Sequence, residues 1–127
     1  MQQKINSVKD FHTAFGIGYS ETMRGDLGEQ KNLLRYNLMK EENEEYLEAV
    51  QNNDLVEIAD ALGDMMYILC GTIIEHGLQH KMEAVFDEIQ RSNMSKLDVN
   101  GEPIYREDGK VMKGLNYSKP DFSEILK

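Results

Sequence analysis

"EIADALGDMMYILCGTII", residues 57–74, decides the reading of the chain. The stretch has no proline and is long enough for about five helical turns. Apolar residues occupy most sides of that helix: Leu55, Ile58, Leu62, Met65, Met66, Leu69 and Ile73. Such a helix is expected to be buried over most of its surface, at the centre of a small helical bundle. Three acids interrupt it. At 100° per residue Glu57, Asp60 and Asp64 fall within an arc of roughly 60°, and Ile68 and Gly71 continue the same stripe. Ionised carboxylates do not enter an apolar interior without partners, so the stripe needs a physical reason.

The preceding helix supplies more of the same charge. Residues 29–51 contain neither Gly nor Pro and read as one long helix. Leu34, Leu38 and Ala49 define its inward face, and Glu41, Glu42 and Glu45 of "EENEE" share that arc of roughly 100°. A charge run is ordinarily a solvated face; here the acids replace leucines on the core side. "NND" is a short connection between the two helices and favours antiparallel neighbours, with Asp54 as the cap of the second. The two acid stripes are then expected to face each other. Two carboxylates about 5 Å apart repel by about 3 kcal/mol at an effective dielectric of 20. Four or five together stay ionised only where something positive binds. An all-oxygen set with no Cys and no ExxH suits a hard divalent ion, Mg²⁺ or Mn²⁺, over zinc or di-iron.

Outward from this pair, Asn6 or Ser7 is expected to cap a first helix reaching about Gly16, with Val8, Phe11 and Phe15 on one face. "GIGYSETMRGDLGEQ" reads as a loop, and a fourth helix is expected from about His80 to Lys96. On it Met82, Val85, Phe86 and Ile89 form an inward face that Asn93 and Lys96 continue, an arrangement suited to a phosphate. Lys96 also reads simply as a cation at a helix C-terminus. "IYREDGKVMKG" carries an Asp-Gly turn between short alternating stretches and predicts a β-hairpin, with the tail after it. The expected architecture is one all-α domain, residues 1–127, with a four-helix core over about 5–97 and a small C-terminal β-hairpin and tail over 98–127.

Bulk properties agree. The 127 residues suffice for one domain, and 40% hydrophobic with 29% charged residues is a soluble globular composition. The net charge of −9 argues against a nucleic-acid polymer as partner. The single cysteine, Cys70, lies inside the apolar helix, so no disulfide framework is expected and a cytoplasmic location is. No apolar run approaches the ~20 residues of a membrane span, and the first residues show no signal-peptide pattern. The eight methionines suit adaptable helix–helix interfaces, and a homodimer or dimer of dimers is expected.

Taken together, "EENEE" (Glu41, Glu42, Glu45), "EIAD" (Glu57, Asp60) and the downstream "RSNMSKL", "DGKVMKG" and "PDF" resemble the MazG-like, all-α nucleoside triphosphate pyrophosphohydrolases. That superfamily includes dimeric dUTPases and phosphoribosyl-ATP pyrophosphohydrolase, and the likeness extends over about Ser7 to Phe122. It implies a Mg²⁺-dependent nucleotide diphosphatase that cleaves a (d)NTP to a monophosphate and pyrophosphate, in nucleotide-pool house-cleaning. By the same resemblance Glu42, Glu45, Glu57 and Asp60 match metal ligands, Glu41 the acid that orients or deprotonates the attacking water, and Asn93 and Lys96 groups at the substrate. Asp64 extends the acid stripe toward the metal shell or a sugar hydroxyl. Phe11, His12 and Phe15 are candidates to line a nucleobase pocket, as the first helix does in similar proteins, and Lys110 and Lys113 to approach phosphates. Plain core packing and solvated lysines are the competing readings of those last residues. The alternatives are a phosphoribosyl-ATP pyrophosphohydrolase-like enzyme and a catalytically silent metal- or nucleotide-binding bundle.

Overall fold

The computed structural model describes residues 1–127, in which four helices are joined by irregular segments without a sheet. They are α1 (Gln2–Ala14), α2 (Glu29–Gln51), α3 (Leu55–Glu75) and α4 (Met82–Met94). The chain divides into two compact units, Met1–His80 and Lys81–Lys127.

In the first unit α3 packs against both α2 and α1. The ends of α2 and α3 follow local chemistry. Asp54 caps α3 by accepting from the Glu57 amide at 3.1 Å, satisfying one of the helix's free donors. Gly77, at φ +70°, terminates it where a β-carbon would collide with the Thr22 carbonyl. The loop after α1 is pinned over this end: the Ser20 amide donates to the Ile74 carbonyl at 3.0 Å and the Arg24 amide to that of His76 at 2.9 Å. The first helix starts earlier than Asn6 or Ser7. Ser7 sits inside it, its hydroxyl donating back to the Gln3 carbonyl at 3.1 Å, so the residue is absorbed by the helix rather than capping it.

The buried core of this unit is small: Ile5, Val8, Cys70 and Ile74 cluster between α1 and α3. Helix α3 is therefore not enclosed on most sides. Its arc bearing Leu55, Leu62, Met66 and Leu69 stays open, these residues being 77%, 46%, 51% and 42% exposed. Phe11 and Phe15, expected inward, are exposed as well, and so is Leu34 on α2.

In the second unit α4 leads into the C-terminal segment. The expected β-hairpin does not form as a pair of strands. One antiparallel bridge, Tyr105 with Val111, flanks the Asp108-Gly109 turn, with the Arg106 amide donating to the Lys110 carbonyl and that of Met112 to the Ile104 carbonyl, both at 2.7 Å. The turn chemistry is right, but its flanks are exposed, and a two-stranded ribbon without a face to bury is marginal. On α4 itself Phe86 and Ile89 are exposed and Ser92 is the buried residue.

Candidate active site

The acid stripes meet where α2 and α3 run antiparallel. Glu42 is the centre. It sits on the face of α2 that also carries the buried Arg35 and Ala49, and its Oε2 is fully enclosed with no hydrogen-bond partner. Burial first, and then the neighbouring Glu45 carboxyl, push its pKa up from 4.5 to about 7. The charges of Glu45, Asp64 and Asp60 add to the shift. Carboxylates from two helices thus oppose the ionisation of Glu42.

The remaining acids lie around this centre. Glu57, in the first turn of α3, borders a cavity of about 340 Å³ together with Glu45, Glu48, Ala49, Asn52 and Asp54. Glu45 therefore belongs both to the Glu42 cluster and to that cavity. Glu41 is exposed, turned about 100° from Glu42, and so are Glu45, Glu57, Asp60 and Asp64: of the acids expected on the core side only Glu42 is partly buried, because the others reach water at the rim of the helix pair. No three His, Cys, Asp or Glu side chains stand close enough, as placed, to enclose an ion. The donor set nevertheless fits a divalent cation in kind: hard carboxylate oxygens, one of them buried and without a donor. Carboxylates that repel one another have reason to stand apart until a cation draws them in.

In the second unit Asn93 and Lys96, together with Met94, Leu97, Pro103 and Val111, border a cavity of about 380 Å³. Lys96 is half-buried; Asn93, Lys110 and Lys113 are exposed, and the Lys113 ammonium lies 4.7 Å from the centre of the Tyr117 ring. Phe15, 70% exposed, stacks on Phe11, which meets Tyr67 edge-on. His12 is enclosed instead, its Nδ1–H donating to the Gly18 carbonyl at 2.8 Å.

Residues 8–93 match the phosphoribosyl-ATP pyrophosphohydrolase family. The chain belongs to that family. The match covers the second half of α1, all of α2 and α3, and all but the last residue of α4. An uncharacterized protein of Acanthamoeba polyphaga mimivirus is 30% identical over 97 residues, which are 74% of this chain. The aligned part is 39% of that viral protein's length.

One constellation escaped sequence reasoning. Arg35 is buried where Leu34 was expected, and its Nε donates to Thr72 Oγ1 at 3.0 Å while Nη2 donates to the Ile68 carbonyl at 2.8 Å. Burial pulls its pKa down and the charge of Glu75 opposes that. Glu75, buried at the C-terminus of α3 where the helix dipole disfavours an anion, has Lys31 Nζ at 3.4 Å and His12 Nδ1 at 3.8 Å. The signal was present in phase alone: Arg35 lies seven residues before Glu42, and Glu75 continues the stripe of Asp64, Ile68 and Gly71.

Proposed function

We propose that the protein hydrolyses nucleoside triphosphates, ribo or deoxy, between the α- and β-phosphates to a monophosphate and pyrophosphate, serving to cleanse the nucleotide pool. The observation that carries the reading is the enclosed, partnerless Glu42 oxygen amid Glu45, Asp60 and Asp64, on helices that match the family. Glu42, Glu45, Asp60 and, one turn away, Glu57 would hold Mg²⁺ or Mn²⁺, with Asp64 completing or supporting the set. A divalent ion bound there would neutralise phosphate charge and acidify a water. Glu41, one step along α2 from Glu42 and exposed, would orient and deprotonate that water. Asn93 and Lys96 would hold substrate phosphate, with Lys110 and Lys113 adding positive charge. Phe15 offers an open aromatic face for a base, and the buried His12 holds the following loop through Gly18. The uncovered arc of α3, Leu55 through Leu69, supports a homodimer or a dimer of dimers, because single monomers rarely leave such a continuous apolar stripe in water. No helix is long and apolar enough to cross a membrane.

The family's own description favours a second substrate, phosphoribosyl-ATP. One experiment separates the two and tests both. A panel of canonical and modified (d)NTPs plus phosphoribosyl-ATP is incubated with Mg²⁺, and products are resolved by chromatography. Pyrophosphate from several triphosphates supports pool cleansing; turnover of phosphoribosyl-ATP alone favours the second reading. Initial release of diphosphate and orthophosphate, or no turnover of any member, defeats both.

A further inference from the structure

Arg35 stands outside the acid cluster yet repeats its geometry. Its guanidinium reaches from α2 to two groups one turn apart on α3, Ile68 and Thr72. Seven residues further along α2, Glu42 meets the charges of Asp60 and Asp64, again one turn apart on α3. The helices are antiparallel, so two turns forward on α2 correspond to two turns back on α3. The same register that lets Arg35 bridge residues 68 and 72 brings Glu42 against residues 60 and 64.

We infer that Arg35 is the positioning residue that fixes the axial register of α2 on α3, and with it which carboxylates form the cation site. The inference rests on the acid cluster being the cation site proposed above. Its physical basis is that nothing else at this seam specifies register as strongly. Apolar contact is non-directional, and the buried residues α2 brings are Arg35 and Ala49. The carboxylates themselves repel, so without a cation they favour separation or slippage. A planar guanidinium with two fixed donors does discriminate, because a slip of one turn, about 5.4 Å, breaks both of its bonds. The fold makes room for it. A β-carbon at Gly71 would stand 2.6 Å from Arg35 Nη2 and 2.8 Å from His12 Nε2, so any other residue there must displace the ends of both side chains. Glu75, flanked by Lys31 and His12, supplies negative charge that offsets the burial of the guanidinium.

The test uses the full chain and compares wild type with Arg35→Lys, Gly71→Ala and Ile74→Val. Mn²⁺ binding is read by calorimetry and backbone amide exchange by mass spectrometry. Arg35→Lys keeps the charge and loses the fork. It is expected to weaken Mn²⁺ binding by roughly 10- to 100-fold and to speed exchange selectively around residues 41–48 and 60–64. Gly71→Ala should behave in the same way. Ile74→Val thins the core between α1 and α3 and controls for plain loss of stability: it should lower Tm yet leave Mn²⁺ affinity within about twofold. The inference fails if Arg35→Lys binds Mn²⁺ like wild type, or if Ile74→Val loses as much affinity. Should wild type bind no Mn²⁺, the cation reading is what fails, and amide exchange alone decides the register. Selective loss of protection in those two segments then supports the clamp, and unchanged protection in Arg35→Lys overturns it.

Discussion

Replacing Glu42 with Gln isolates the carboxylate whose ionisation the fold resists most. Its pKa rises from 4.5 to about 7, chiefly through burial and then through Glu45, Asp64 and Asp60. An acid with a higher pKa folded than unfolded favours the folded state while protonated. That contribution is complete below about 4.5 and is lost as pH climbs through about 7. The interval corresponds to about 3 kcal/mol at most, and to about 1–3 kcal/mol once solvent screening is allowed for. Glutamine mimics the protonated acid at every pH. In EDTA, Glu42→Gln should therefore match wild type near pH 4 and exceed it by about 1–3 kcal/mol near pH 8. The measurement is urea unfolding followed by circular dichroism at both pH values. Saturating Mg²⁺ should reverse the order, because wild type gains binding free energy that the amide variant largely forgoes. An identical stability difference at both pH values, or a variant less stable than wild type near pH 8 in EDTA, would refute the account of Glu42 as a buried acid repelled by its neighbours.

Glu41→Gln should keep Mg²⁺ and substrate binding while kcat falls by roughly 10²–10⁴-fold, measured by pyrophosphate release beside calorimetric titration; loss of metal binding instead would place Glu41 among the ligands. Asp60→Asn, by contrast, should raise the Mg²⁺ Kd, and unchanged affinity would remove it from the site. With Lys96→Ala, KM should rise while kcat changes little, provided the ammonium holds a phosphate alike in ground and transition states; a fall in kcat alone contradicts that role. Leu62→Glu, in the middle of the open stripe of α3, should shift the protein toward monomer in analytical ultracentrifugation, and an unaltered assembly would mean that the stripe is not the interface.

Residues 29–51 could be read as a helix from sequence to the residue, because the stretch lacks Gly and Pro and a glycine precedes it. Asp54 marked the start of α3 for an equally local reason, a side-chain cap. The acid stripes were legible too, since a 100° step places Glu42, Glu45, Asp60 and Asp64 without any knowledge of what faces them. Helical phase, caps and the identity of the carboxylates are properties of one segment at a time, and the sequence alone determined them. Which apolar residues become buried is not such a property. Phase made Leu34, Phe11, Phe15 and the Leu55–Leu69 arc equally eligible for a core, and only the tertiary structure decided that Arg35, His12 and Glu75 go inside while those stay open. The same holds for the C-terminal turn, where Asp108-Gly109 specifies a reversal and strand pairing depends on a neighbouring face to cover. Burial of an ion cluster is decided by the fit of groups distant in the chain: a glycine at 71 that leaves space, a hydroxyl at 72 that accepts, and a carboxylate at 75 that balances the charge. Those meetings exist only once α1, α2 and α3 have packed.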